Sequence, residues 1–442
     1  MKKKAVLFIM MAAMGMTVLG GCGQDPKGDI NYSSDTEKEP TSDTEGKVSS
    51  DEITEESAKL SVKDFKTTVS DFSIDLLKKS VSEDVNKGEN VLISSYSVLT
   101  DMMMATNGAD GETLSELQKV LCKDASLDAF NEKLSAYDKM LNASESVKFH
   151  SANSIWVREG RLDAEKAFLD KNKELYNAEI NITPFDEKMV TDVNDWVDKN
   201  TDGMIDKLLE QVPDEQEVMH LINAIAFDGK WAVQYDDYQL DENGSFKNAR
   251  GEDEKASMLC DDEGSEYMHD DKATGFARPY EGYEYEFVAI LPNEDVTVEE
   301  YLSDMTGESF KKFYESNENV YPDYTVRTKL PEFSYDYTTE MSDAFKGMGV
   351  ESAFDPNTAD FSKMGTSDGS LYIGSIVHKT HIELDKNGTR AAAVTDIAME
   401  CGSAFVEDPK YIDIYLDRPF IYAIVDKETE LPLFMGVVNT LE

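Results

Sequence analysis

"NGTRAAAVTDIAMECGSAF", residues 387–405, lies near the C-terminus, and the rest of the chain is read through it. Thr389, Ala391, Ala393, Thr395, Ile397, Met399 and Cys401 alternate along it and carry no charge. The intervening Arg390, Ala392, Val394, Asp396, Ala398 and Glu400 hold every charge in the segment. A period of two is the pattern of a strand with one buried face. Yet the run opens on Asn-Gly-Thr, a loop signal, and its first half is mostly Ala, which is depleted in strands. The segment therefore reads as chain that suits a strand without being committed to one.

The flanks divide the 442 residues into three parts. Residues 1–21 begin with three lysines, continue as an apolar run and end in small residues directly before Cys22. This is the pattern of a secretory leader. Its end resembles a bacterial lipobox, which would make Cys22 a lipidated N-terminus and the protein a secreted, extracellular, cell-surface lipid-anchored one. An uncleaved anchor fits less well, because the run is barely long enough to span a bilayer and is broken by glycines. Residues 22–58 are rich in Ser, Thr, Asp, Glu and Lys and poor in large apolar residues. Such a segment cannot bury enough surface to fold, and reads as an acidic tether of about 35 residues with a reach of roughly 30 Å. From residue 59 to 442 the composition is globular, without internal repeat or second linker.

A formal charge of −46 argues against nucleic acid and anionic lipid as partners, and leaves membrane contact to the N-terminal lipid alone. Besides Cys22 there are three widely spaced cysteines, Cys122, Cys260 and Cys401, which imply no disulfide framework.

Phe65, Val69, Phe72 and Leu76 fall on one face of a helix, and "SVLTDMMMATNGADGETLSELQKVL" reads as helix, glycine break, helix, with Thr113 as a cap. "HLINAIAFDGKW" and "YEFVAILPNE" read as buried strands, and "YIDIYLDRPFIYAIVDKETELPLFMGVVN" as strand, strand, turn, strand. Helices early and strands late predict an α+β fold around a large, mostly antiparallel sheet.

The motifs of conventional enzymes are missing: no Walker A pattern, no H-E-x-x-H, no G-x-S-x-G, no C-x-x-C. The cluster Cys260, Asp261, Asp262, His269, Asp270 and Asp271 lacks a zinc spacing and reads as a solvated acidic loop, so no metal and no cofactor are expected. "QLDENGSF" misses the alternation of a calcium loop, and Asn243-Gly244 predicts a type I′ turn.

Nine stretches in order resemble one family over residues 59–442: "NVLISSYSV" with "NGADGET", "ANSIWV", "NDWVDKNTDGMIDKLL", "LINAIAFDGKW", "AILPNE", "LPEFSYDY" with "GVESAFDPNTADFS", "LYIGSIVHKTHIEL", the opening segment, and "DRPFIYAIVDKETELPLFMGVVN". The chain resembles a serpin. The resemblance implies that residues 387–405 form an exposed reactive loop, which a serine protease attacks and which then inserts as a new strand in the central sheet. The small residues Gly388, Thr389, Ala391, Ala392 and Ala393, with Lys386 before them, match the loop hinge. Placing Arg390, Asp396 and Glu400 on one face would let that face stay in solvent after insertion. Insertion of about 14 residues at ~3.3 Å each would carry an acylated protease roughly 45 Å and distort its oxyanion hole before deacylation. The implied molecule is a monomeric suicide substrate and not a turnover enzyme.

Counting from Gly388 puts the scissile bond at Gly402-Ser403, with Met399, Glu400 and Cys401 as alternatives for the cleaved residue. Gly402 would suit an elastase- or subtilisin-like protease, and Met399 a chymotrypsin-like one. Ser94, Ser97, Asn223 and His378 match the polar group that governs sheet opening, and Trp231 the tryptophan where the loop enters. Two positions depart from the family. Ser95 stands where it usually has Pro, and Lys386 and Glu332 stand with charges exchanged, which predicts a reversed hinge ion pair between them. A non-inhibitory serpin that is merely cleaved, or that serves in binding or adhesion, is the alternative, and the small hinge residues weigh against it. A lipid-anchored solute-binding protein would need two α/β lobes.

Overall fold

The computed structural model describes residues 5–13, 60–82, 88–144, 147–205, 207–264, 266–389 and 410–442. Within these, helix α1 (Val62–Ser82) buries Phe65, Val69, Phe72 and Leu76, as their spacing predicts. Helix α2 (Ser95–Thr106) is buried on every side, which explains its lack of a polar face. The next helix, Gly111–Leu121, is capped by Asp110, whose carboxylate accepts the Gly111 amide at 3.0 Å. Thr113 is therefore not the cap. Its hydroxyl is buried, 3.1 Å from that of Ser352, and accepts the Asp360 amide. An acid one residue before the helix won the cap because it reaches the free first-turn amides.

The strands of the central sheet, numbered in chain order, are β1 (Ala5–Ala13), β2 (Lys148–Arg158), β3 (Glu179–Thr183), β4 (Glu217–Lys230), β5 (Phe333–Glu340), β6 (Leu371–Asp385) and β7 (Gly388–Thr389). Across the sheet they run β5, β6, then β1 and β7 in line, then β4, β2 and β3. β6 is antiparallel to β5 and β7, and β4 to β2 and β7. β4 is buried over ten consecutive residues, Val218–Phe227. It is covered on both faces, which is why it reads as a continuous apolar run. α2 packs beneath it, and the helix Glu187–Asn200 lies against it through Met189, Val193 and Val197, which cluster with Trp156 and Ile222.

A second, seven-stranded sheet contains the wholly buried hairpin Phe420–Asp426 and Leu431–Val438, with Val91–Ile93 paired outside it at the edge. A four-stranded sheet holds Lys410–Tyr415 beside Tyr324–Pro331 and Asp253–Gly264, with Leu240–Lys247 at its far side. The predicted turn at Asn243-Gly244 does not form. Both residues lie inside the strand Leu240–Lys247, at an irregularity in its pairing. A Cβ on Gly244 would stand 2.5 Å from Met258 Cγ, so this glycine serves close approach to the neighbouring strand.

The nine residues of β1, which fall in the run read from the sequence as a leader, pair in parallel with both β6 and β4. An apolar run needs its backbone hydrogen bonds satisfied away from water, and the edges of two strands can do that as a helix would.

Candidate functional site

β6 ends at Asp385, and the chain reverses through Lys386 and Asn387. Asp385 Oδ1 accepts the amides of Asn387 (2.8 Å) and Gly388 (3.2 Å), and its Oδ2 accepts the Asn387 side-chain amide (2.8 Å). An Asp closing its own turn in this way is the usual chemistry of such reversals. β7 then starts back between β6 and β4, with Thr389 opposite Leu384 and Gly229, and Gly388 opposite Asp385 and Lys230. The first two residues of the quoted segment are thus already a strand. A Cβ on Gly388 would lie 2.2 Å from Gly229 O and 2.8 Å from Lys230 Cα, so only glycine fits against β4 here.

Thr389 is wholly buried, its hydroxyl 2.5 Å from that of Tyr280. Tyr280 is buried and stacked on Trp231, ring centroids 4.8 Å apart and 11° from parallel. Burial pushes the Tyr280 hydroxyl far up, so it is a neutral donor and acceptor. Trp231 donates its indole N–H to Asp385 O and its backbone N–H to Asn387 O, both at 2.9 Å. One aromatic pair therefore clasps the turn and the seated threonine. The sequence named Trp231 but not Tyr280, which lies in a loop-like "RPYEGYE" with no periodic signal.

Lys386 and Glu332 both reach the hinge, but in different roles from those expected. The Lys386 ammonium pairs with Asp237, which raises the ammonium's pKa and lowers that of the carboxylate. Glu332 instead accepts the Lys386 backbone N–H at 3.2 Å and the Ser257 hydroxyl at 2.7 Å. Glu332 thus holds the chain itself, and the ion pair goes to a residue far away in sequence.

The polar group beneath the sheet assembles at the N-terminus of α2, and Ser94, Ser97, Asn223 and His378 are all wholly buried. Ser94 caps the helix by accepting the Ser97 amide, and its own amide donates to His378 Nε2 at 3.1 Å. Burial drives the His378 pKa down to about 3, so the ring is neutral and Nε2 is free to accept. The Ser97 hydroxyl donates to Asn223 Oδ1 at 2.5 Å, and the Asn223 side-chain amide donates to Asn153 Oδ1 and Ser151 Oγ. Ser95 Oγ donates to Pro432 O at 3.3 Å. Sequence reasoning missed Asp101, one turn along α2 from Ser97. Its Oδ2 accepts the Asn223 backbone amide at 3.1 Å, and burial raises its pKa well above the usual carboxylate range. His378 lies on β6 and Asn223 on β4, and Met11 of β1 stands in register with both. The cluster therefore straddles the gap that β1 fills.

The expected acidic loop is largely strand: Cys260, Asp261 and Asp262 lie in Asp253–Gly264, and His269 ends the strand Glu266–His269. Asp261 pairs with Arg278 at 3.1 Å, and Asp270 accepts the Tyr301 hydroxyl and the amides of Lys272 and Ala273. Ala391, Ala392, Ala393, Met399, Glu400, Cys401, Gly402, Ser403 and Cys22 lie outside the described residues.

Residues 67–441 match the family model described as "Serpin (serine protease inhibitor)". The chain is a serpin. An uncharacterised serpin-like protein of Methanosarcina mazei is 29% identical over 376 residues, covering 83% of this chain and 85% of that relative. The serpin superposes on the native state of a thermophilic serpin, tengpin, with a TM-score of 0.79 and 39% identity, over 87% of this chain and 96% of that one. On the latent state of tengpin the TM-score is 0.74 with 37% identity, over 86% and 98%. The α+β fold and membership of a family of protease inhibitors are thereby established for this chain.

Proposed function

We propose that this serpin is an irreversible, covalently trapping inhibitor of serine proteases, secreted and held at a cell surface by a lipid on Cys22. The observation that carries this reading is the seated hinge. β7 is the start of a strand already antiparallel to both edges of the gap. If insertion continues the register of β7, each further step along the loop would be one step back along β6, and Gly402 would come opposite Leu371, the first residue of β6. An inserted segment from Gly388 to Gly402 would then match the full length of β6, which favours Gly402-Ser403 as the bond cut.

In the proposed reaction the protease serine attacks the Gly402 carbonyl, the Ser403 amine leaves, and an acyl ester joins protease and loop. Zipping of residues 390–402 into the gap then drags the ester away before water can cleave it. The energy comes from strand pairing and burial that the starting sheet lacks. The test is to mix residues 22–442 with elastase-, subtilisin- and chymotrypsin-like proteases and look for a covalent complex stable in SDS, with mass spectrometry of the released peptide. A new N-terminus at Ser403 is expected. Cleavage of the loop by every protease with no complex would mark a substrate, not an inhibitor.

A further inference from the structure

We propose that Asn387-Gly388 is a self-modification site, at which Asn387 cyclises onto the Gly388 nitrogen and loses ammonia, with Asp385 carrying the proton. The chain holds three Asn-Gly pairs, at 107–108, 243–244 and 387–388. Two of them stand in the same local sequence, "DENG" at 241–244 and "DKNG" at 385–388. The fold treats the three differently. Asn107 is buried, its side chain bonded to Asn131 and Asn172, and a Cβ on Gly108 would stand 2.8 Å from Met364 Cβ. Asn243 and Gly244 lie within the strand Leu240–Lys247, where Asp241 accepts the Asn243 backbone amide at 3.1 Å. At the hinge, one carboxylate spans both reacting nitrogens. Asp385 Oδ1 accepts the Gly388 amide at 3.2 Å, and Oδ2 accepts the Asn387 side-chain amide at 2.8 Å. The first nitrogen is the nucleophile of the cyclisation and the second is its leaving group. A base already bonded to both is placed as a general acid–base group must be. Glycine leaves the nucleophile unhindered.

The step balances within these residues. A bond forms from the Gly388 nitrogen to Asn387 Cγ, and the bond from Cγ to Nδ2 breaks. Asp385 takes the proton from the Gly388 nitrogen and returns one to Nδ2, so ammonia leaves and the carboxylate ends unchanged. Water then opens the ring at either carbonyl, giving aspartate or isoaspartate. One water is consumed, one ammonia is released, and nothing is oxidised or reduced. Either product puts a carboxylate beside Asp385 where an amide had donated to it. Isoaspartate also lengthens the backbone by one carbon just before Gly388. Thr389 then loses its register with Leu384 and its contact with Tyr280. The hinge thus carries a hydrolytic clock that unseats β7. The loss of trapping that would follow rests on the inhibitor reading, whereas the cyclisation does not.

The experiment incubates the full chain near neutral pH, folded and in urea, and follows all three Asn-Gly pairs by peptide mapping with mass spectrometry. Asn387 should convert at least about tenfold faster than Asn243 in the folded chain, with isoaspartate among the products, and at a similar rate to it in urea. Asp385→Asn and Asp385→Ser each keep one acceptor for the Gly388 amide but cannot relay the proton. Both should slow Asn387 at least about tenfold in the folded chain and leave its rate in urea unchanged. A carboxylate that merely closed the turn would act with the opposite sign, since its removal frees the backbone and speeds conversion. Variants that raise the rate or leave it unchanged would overturn the inference. So would a folded Asn387 no faster than Asn243, or conversion to aspartate without isoaspartate. A hinge that converts as expected in a chain that never traps a protease would sink the inhibitor reading and leave the modification site standing.

Discussion

Replacing Thr389 by Val keeps the branched shape and removes one hydroxyl, the partner of Tyr280. Tyr280 is wholly enclosed, with the Trp231 ring stacked on it at 4.8 Å and the edge of Phe227 at 4.9 Å, so its orphaned hydroxyl cannot reach water. Leaving such a group unpaired costs about 1–3 kcal/mol, whereas replacing both partners by apolar groups is nearly neutral. Thr389→Val should therefore loosen the hinge by that amount, Tyr280→Phe should cost somewhat less, and the double variant should recover most of the loss. The assay is hydrogen exchange at the Gly388 and Trp231 amides, which report local opening of the turn. Exchange should accelerate about 5- to 150-fold in Thr389→Val and return close to the starting rate in the double variant. Under the proposed function, the loosened hinge should also raise the number of serpin molecules cleaved per complex formed. A double variant that exchanges as fast as the worse single one would show that the hydroxyl pair does not hold the hinge, and the clasp around Trp231 would lose its central contact.

Gly388→Val should prevent β7 from seating, because its Cβ would fall 2.2 Å from a β4 carbonyl. Rapid exchange at the hinge and loss of trapping are expected, and normal trapping would refute the seated start. Lys386→Glu should be rescued by Asp237→Lys and not by Glu332→Lys, since the ammonium meets Asp237 while Glu332 binds the backbone. The rescue should fade at high salt, as for any exposed pair. His378 is neutral when folded, with its pKa near 3 against about 6.5 in an unfolded chain. Its contribution is complete above about pH 6.5 and is lost as pH falls toward 3. The stability gap between the parent and His378→Asn should therefore narrow from pH 7 to pH 4 in urea titrations, and a constant gap would refute the linkage. Asp101 acts with the opposite sign. Its raised pKa makes its contribution largest below the unfolded carboxylate range and diminishing as pH rises through the folded value.

Much of this protein was legible from local chemistry. The spacing of Phe65, Val69, Phe72 and Leu76 determined the buried face of α1, because helical period alone decides which side chains share a side. The unbroken apolar runs of β4 and of the final hairpin determined that these strands are buried on both faces. Small residues after Asn387 marked a segment able to enter a packed sheet, and Gly388 and Thr389 do so. Tertiary structure alone decided the rest, since it concerns partners far apart in the chain. Asn243-Gly244 carries a strong turn signal, but pairing with Asp253–Gly264 drew it into a strand. Lys386 found Asp237 instead of Glu332, Asp101 reached Asn223 across the space beneath the sheet, and Tyr280 closed on Thr389.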